Sequence, residues 1–316
     1  MKKTFLPEKF IEKYSAILGK DSEKFFKSCC TKIPKSIWAN SLKINPKQLE
    51  KILKEKGWGV KQLPFHKNSF LLEGVEKPGD SEEFRLGLFN LQEKASMLPV
   101  LVLDPKENEK ILDFTAAPGS KTLQLSCIVG NKGKILAIEK EFTRYKSLNF
   151  NINKFGMEDV ETKCMNALAF RECNVFDKVL LDAPCSSEGL VRKEFDTLKH
   201  WSLHLVKRKS KLQKRLILKA FDALKENGIL VYSVCSLSPE ECENVVDFLL
   251  KKRQNAKTEK IKIKGIKCGA AILKYGEKEF NKEAKNCCRL WPHVNDTQAF
   301  FIAKIRKLKQ ENENGY

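Results

Sequence analysis

Phe10, Ile11, Tyr14, Ile17 and Leu18 recur at helical spacing, which predicts an amphipathic helical segment between Leu6 and Cys30. Pro34 breaks the chain after it. The run from Ile37 to Ile44 predicts a short strand, Pro46 to Lys56 an amphipathic helix ended by Gly57, and Phe70-Leu71-Leu72 a second strand. Strand, helix and strand in so short a span predict a small α+β module ahead of the main domain.

After Pro105 the rhythm becomes one of apolar strands alternating with longer helices. Ile111 to Phe114 leads into a glycine-bearing loop and a helix from Thr122. Ile135 to Ile138 leads into a helix from Glu141 to Phe155. Val179-Leu180-Leu181 precedes a long helix running to about Lys225, and Ile229 to Tyr232 precedes another from Glu240 to Lys252. This alternation predicts an α/β fold with a doubly wound, mainly parallel sheet. The expected division is an N-terminal region over 1–105, a main domain over 106–307 and a disordered tail over 308–316.

Composition narrows the partners. The 316 residues carry a formal net charge of +19, which favours a polyanion, nucleic acid before an acidic membrane surface. A uniformly lysine-rich proteome is the plainer source of such charge. The eleven cysteines would suit a secreted disulfide protein only in a short chain behind a signal peptide. Here Glu8 and Lys9 interrupt any apolar leader, and no apolar run is long enough to span a bilayer. The cysteines are therefore expected to be free, in a reducing, cytoplasmic setting. With no Cys-x-x-Cys and with Cys29-Cys30 and Cys287-Cys288 adjacent, no metal site is expected.

Candidate chemistry sits just past strand ends, where open α/β sheets bind ligands. Cys185 lies in Asp182-Ala183-Pro184-Cys185-Ser186 and Cys235 in Tyr232-Ser233-Val234-Cys235-Ser236, each after an apolar strand. A thiol so placed is a nucleophile if its pKa is lowered; its bland reading is a small buried hydrophobe. The loop Thr115-Ala116-Ala117-Pro118-Gly119-Ser120-Lys121-Thr122 lets a ligand approach backbone and helix N-terminus, or is simply a tight strand-to-helix turn. Glu139 suits ribose hydroxyls, or the dipole of the next helix. His200 and His204 share a helix face without a zinc-protease glutamate, and are read as a polar surface pair.

Taken together, these motifs resemble the RsmB/Sun-type family of S-adenosylmethionine-dependent RNA cytosine-5 methyltransferases, from about Leu6 to Lys307. The resemblance implies a Rossmann-like class I methyltransferase domain with a small, RRM-like, RNA-binding N-terminal α+β domain. It implies S-adenosyl-L-methionine held by residues 115–121 (Thr115, Ala116, Ala117, Pro118, Gly119, Ser120, Lys121), with Glu139, Arg144, Asn166 and Asp182. It further implies Cys235 as nucleophile, Cys185 in product release, and Asp182 and Lys121 at the base. Gly189, Arg192, Pro239-Glu240-Glu241, Arg289 and Phe300 to Ala303 also match the pattern, as does Gln92 to Met97 before the catalytic domain.

The chain departs from that pattern at Ser187 (usually glycine), Asn166 (usually aspartate), Trp38 (usually arginine), Cys242 (usually asparagine) and Gln298-Ala299 (usually an acidic residue and glycine). The chemistry itself asks for a thiol, because carbon 5 of cytosine attacks a methyl group only after a nucleophile has added to carbon 6. The expected partner is a structured RNA, tRNA or rRNA, bound by a monomer without metal or membrane. Lys207, Arg208, Lys209, Lys211, Lys214, Arg215 and Lys251 to Arg253 are candidate phosphate contacts. The rivals are a DNA cytosine-5 methyltransferase, which would place the nucleophile in the Pro-Cys motif alone, and an RNA-binding assembly factor with dispensable catalysis.

Overall fold

Asn45 accepts a hydrogen bond from the Lys47 N–H at 2.9 Å, and Pro46 takes the first turn, so α3 (Pro46–Glu55) starts where the pattern places it. In this computed structural model, residues 6–309 are described. Four strands, β1 (Lys35–Ala39), β2 (Gly59–Gln62), β3 (Ser69–Glu73) and β4 (Phe89–Leu91), form an antiparallel sheet in the order β2-β3-β1-β4. Its apolar face packs on Leu49 and Leu53 of α3. The predicted strand over 37–44 is shorter than expected. It ends at Ala39 because the Asn40 side chain turns the chain, donating to the carbonyls of Gly87 and Phe155.

The N-terminal helical segment is two helices, α1 (Glu8–Leu18) and α2 (Ser22–Cys29), separated at Gly19, whose φ of 52° ends the first. Neither joins the small sheet. Phe10, Tyr14 and Phe25 pack with Val191, Trp201, Leu237 and Trp291 of the main domain. The short α4 (Glu82–Arg85) precedes β4, and α5 (Lys94–Leu103) connects the two sheets.

The main sheet has β5 (Lys110–Asp113), β6 (Lys134–Glu139), β7 (Val160–Cys164), β8 (Phe176–Asp182), β9 (Leu224–Val234), β10 (Ala256–Glu259) and β14 (Phe300–Lys307) in the order β10-β14-β9-β8-β5-β6-β7. The five strands from β9 to β7 are parallel; β14 and β10 are antiparallel additions at the β9 side. The hairpin β11 (Lys274–Tyr275) and β12 (Lys278–Glu279) stands apart, and β13 (Cys288–Leu290) pairs with β14. Helices α6 (Ser120–Val129), α7 (Phe142–Phe155), α8 (Leu203–Asp222) and α9 (Glu243–Lys252) connect the strands, and α10 (Pro292–Asn295) precedes β14.

The chain leaves β5 towards β6 and returns to its other side at β8. That reversal puts the topological switch point at the carboxyl ends of β5 and β8. Two expectations are corrected. Helix α9 starts at Glu243 rather than Glu240, because residues 239–242 are used in turns. Cys268 and Cys288 form a disulfide, with Cα atoms 4.9 Å apart, so not all cysteines are free. Backbone pairing of Gly269 with Arg289 brings these two distant cysteines together. Of the expected tail, residues 310–316 lie outside the described residues.

Candidate active site

Asp113 ends β5, and its buried carboxyl accepts the Thr122 hydroxyl at 2.7 Å, tying the strand to the first turn of α6. Burial pushes this carboxyl up to about 6. Between them the loop 114–119 is folded tightly. Ala116 N–H donates to Ile138 and Gly119 N–H to Ala116. Gly119 sits at a φ of 105°, and a Cβ there would lie 3.0 Å from Leu148 of α7, so only glycine lets the loop close on that helix. With Gly119 as its N-cap, α6 has no side-chain cap, and its first N–H groups remain for a ligand.

Beside this loop opens a cleft lined by Thr115, Ala117, Glu139, Arg144, Asn166 and Asp182, over an apolar floor that includes Phe114 and Ile138. Glu139, at the end of β6, accepts the Glu141 N–H at 2.9 Å. Arg144 lies 3.4 Å from Glu139 and donates to the Ala117 carbonyl at 2.6 Å, so it braces the loop against the carboxylate. Asn166 accepts the Leu168 N–H at 3.0 Å and keeps a second lone pair for the cleft. Ala116, Pro118, Gly119 and Ser120 shape the loop but do not line the cleft; nor does Lys121, which instead binds Asp182 at the cleft's edge.

Asp182 is the hub between this cleft and the two thiols. One carboxyl oxygen accepts from Lys121 at 2.6 Å and the other from the Ser233 hydroxyl at 2.7 Å. Lys121 also donates to Ser96 at 3.0 Å, which fixes its ammonium. Parallel pairing of β8 with β9 sets Asp182 opposite Ser233, and so brings the two following loops side by side. There the sulfurs of Cys185 and Cys235 lie 2.9 Å apart. Contact with Cys235, followed by burial, pushes the Cys185 thiol well above its ordinary value, so Cys185 holds its proton. Cys185 is buried while Cys235 is partly open.

Several departures find structural explanations. Ser187 adopts a φ of 62°, the left-handed region that glycine favours. Trp38 is fully buried and stacks on His66 with centroids 4.6 Å apart, so it makes a core contact rather than an RNA contact. Cys242 is buried and donates to the Ser236 carbonyl. Gln298 N–H binds the Glu93 carboxyl at 3.0 Å, and Ala299 N–H binds the Gly189 carbonyl at 3.2 Å, both within the framework of the site. Lys207, Arg208, Lys211 and Arg215 are exposed on α8, as is His204; His200 is exposed too but ends a separate short turn before the extended Trp201, so the two histidines do not share a helix face. Among the described residues no group of His, Cys, Asp or Glu is arranged to hold a metal, and no helix is long and apolar enough to cross a membrane.

Sequence reasoning missed the buried carboxyls behind the thiols. Glu188 and Glu241 are fully enclosed, and Tyr14 of α1 donates to Glu188. The sequence signal of Glu188 was its position just downstream of Cys185, and Glu241 stood out only within the Pro239-Glu240-Glu241 match, with no role attached.

An open, mainly parallel sheet with a cleft at its switch point and an acidic residue ending the second strand defines a Rossmann-like protein with a site suited to a nucleoside cofactor. Residues 100–306 match the family described as 16S rRNA methyltransferase RsmB/F, and residues 6–94 match the N-terminal domain of 16S rRNA methyltransferase RsmF. The chain belongs to this RsmB/F family of RNA methyltransferases, whose methyl donor is S-adenosylmethionine. It is 41% identical over 303 residues to a tRNA (cytosine(49)-C(5))-methyltransferase of Pyrococcus abyssi, covering 95% of this chain and 96% of that protein. It is 36% identical to ribosomal RNA small subunit methyltransferase F of Vibrio vulnificus, spanning 98% of this chain but 65% of that protein's length. Among solved structures, a methyltransferase homologue from Pyrococcus horikoshii superposes with a TM-score of 0.85 at 35% identity, covering 96% of this chain and 95% of that one.

Proposed function

We propose that this protein transfers a methyl group from S-adenosylmethionine to carbon 5 of a cytosine in a structured RNA, through a covalent bond to Cys235. The observation that carries this reading is the pair of thiols 2.9 Å apart beside Asp182 and Lys121. The cleft suits the cofactor on its own chemistry: a carboxylate for hydroxyls at Glu139, an apolar floor for a purine, and uncapped N–H groups at α6. When bound there, S-adenosylmethionine supplies an electrophilic methyl group.

The chain's own residues do the rest. Cys235 loses its proton to solvent and adds to carbon 6 as the thiolate, which turns carbon 5 into an enamine-like nucleophile. Asp182, held by Lys121 and Ser233, orients the base, and the Lys121 ammonium beside it balances the negative charge that develops at the N3 edge of the ring. After transfer, the proton on carbon 5 is lost to solvent and the bond from carbon 6 to Cys235 breaks. Cys185 S–H, 2.9 Å away, protonates the departing sulfur and regains its proton from solvent. The base reaches Cys235 only when unpaired or flipped out of its stack.

The match to a tRNA enzyme over 95% of this chain and 96% of that protein supports tRNA over rRNA as substrate. On this reading a monomer acts on it in the cytoplasm. Purified protein given radiolabelled cofactor should label tRNA transcripts at cytosine carbon 5, and Cys235→Ala should label none. Labelling of ribosomal fragments but not tRNA would reverse the substrate; absence of labelling in both would remove the enzyme reading.

A further inference from the structure

Sulfurs 2.9 Å apart are nearer than resting van der Waals contact, and no covalent link between their loops holds them there. Two buried carboxylates do so by reaching crosswise. Glu188, on the Cys185 loop, accepts the Ser236 hydroxyl at 2.9 Å and the Leu237 N–H at 3.0 Å, both on the Cys235 loop. Glu241, on the Cys235 loop, accepts the Ser186 N–H at 2.9 Å and the Ser186 hydroxyl at 2.5 Å, both on the Cys185 loop. Each carboxylate thus binds the residue that directly follows the other loop's cysteine.

We propose that Glu241, with Glu188 as its counterpart, is the positioning residue that sets the separation of the Cys185 and Cys235 thiols. The inference rests on the reading of those cysteines as the reacting pair. Burying two carboxylates this deeply is costly, and apolar packing would fill the same space more favourably if stability were the only demand. Their partners are correspondingly complete. Gln213 donates to Glu241 at 2.9 Å, and Trp201 donates to Glu188 at 2.5 Å, as does the Tyr14 hydroxyl.

The Ser236 hydroxyl lies within 2.9 Å of Glu188 and 2.8 Å of Glu241, yet it has one proton to give. A protonated Glu241 resolves the count, donating to Ser236 while Ser236 donates to Glu188. Burial, reinforced by Glu188, pushes Glu241 up to about 7. Burial alone would raise Glu188, but Lys13 and the Tyr14 hydroxyl hold it below its ordinary value. One proton therefore serves both carboxyls, with Glu241 as its holder.

The thiol separation can be read without any methyl transfer. The full-length protein is treated with diamide at about pH 6.5, below the value of about 7 for Glu241 so that the shared proton stays in place; diamide takes the two thiol protons and two electrons and leaves a disulfide and a hydrazine. The Cys185–Cys235 peptide is then counted by mass spectrometry. Glu241→Ala should form it at least about tenfold more slowly, since a small displacement suffices to separate reacting atoms. Glu241→Gln should stay close to the parent, because the amide oxygen still accepts from Ser186 and Gln213 and the NH₂ replaces the shared proton. kcat should fall with the cross-linking rate while KM for both substrates holds.

A folded Glu241→Ala protein that cross-links at the parental rate would overturn the proposal, as would Glu241→Gln as slow as Glu241→Ala. If Glu241→Ala does not fold, the Ser186→Ala/Ser236→Ala double variant carries the same test, slower cross-linking supporting the clamp and the parental rate refuting it. Methyl transfer that fails in the parent while cross-linking still depends on Glu241 would sink the catalytic reading and leave the clamp intact.

Discussion

The Gly189 N–H donates to the Cys235 carbonyl at 3.0 Å, and no space remains beside it for a side chain. A Cβ at Gly189 would lie 2.8 Å from that carbonyl oxygen and would collide with the Ala299 carbonyl as well. Gly189→Ala should therefore force the two cysteine loops apart. A methyl-transfer assay should show a loss of about 10²-fold, the size expected for misplacement of reacting groups near an ångström. Near-parental activity would mean that the loops yield without separating the thiols.

Ser187 points the other way. Its left-handed backbone, with a φ of 62°, strains any residue with a Cβ by about 1–2 kcal/mol. Glycine would relieve that strain and give back about 0.4–1 kcal/mol in unfolded-state entropy. Ser187→Gly should raise the midpoint of thermal unfolding slightly, by about 1–2 °C for a chain of this size. A lower midpoint would show that the serine makes an interaction worth more than the strain.

The thiols should differ in what their removal leaves behind. Cys185→Ala should still allow Cys235 to add to carbon 6 and accept the methyl group, but release would stall. A slow-migrating protein–RNA adduct should accumulate on a denaturing gel, and be missing from the Cys185/Cys235 double variant. An adduct that needed Cys185 and survived loss of Cys235 would exchange their roles.

Glu139→Ala should weaken cofactor binding by about 1–3 kcal/mol, the range for hydrogen bonds to a charged group. Titration calorimetry measures this directly. The Arg144 guanidinium would also lose its partner, so Glu139→Gln serves as the milder control. Unchanged affinity in both variants would place the ribose elsewhere.

Stability should carry a mark of Glu93. Burial pushes this carboxyl up to about 7, although it accepts the N–H groups of Ala95, Ser96 and Gln298. A raised folded-state pKa means that the folded protein holds the proton more tightly than the unfolded chain. Its contribution is fully present below about pH 4.5 and is lost as pH rises through about 7. Denaturant midpoints at pH 5 and pH 8 should differ more in the parent than in Glu93→Gln. Equal differences in the two proteins would mean that Glu93 is ionised throughout.

The sequence alone determined four strands of the main sheet, β5, β6, β8 and β9, and the loops that follow them. Those features are local: an apolar run makes a buried strand, and Gly119 can be recognised as a turn residue from its neighbours. The matched settings of Cys185 and Cys235 therefore predicted two thiols in one crevice. Parallel pairing of β8 with β9 made the prediction spatial, setting Asp182 opposite Ser233.

Tertiary structure decided what stands behind the thiols. Tyr14 reads as one position on an amphipathic face, and only the docking of α1 against the main domain makes it a donor to Glu188. Glu241 looks like an ordinary charged residue in a turn. Its three donors come from Ser186, which gives two, and Gln213, which separate stretches of chain bring to it, and it keeps its proton because it is buried beside Glu188. The same holds for Trp38, whose core position depends on stacking with His66, and for the Cys268–Cys288 disulfide. Periodicity records which face of an element is apolar, but a buried polar contact depends on which distant groups fill its hydrogen bonds, and local sequence does not encode that.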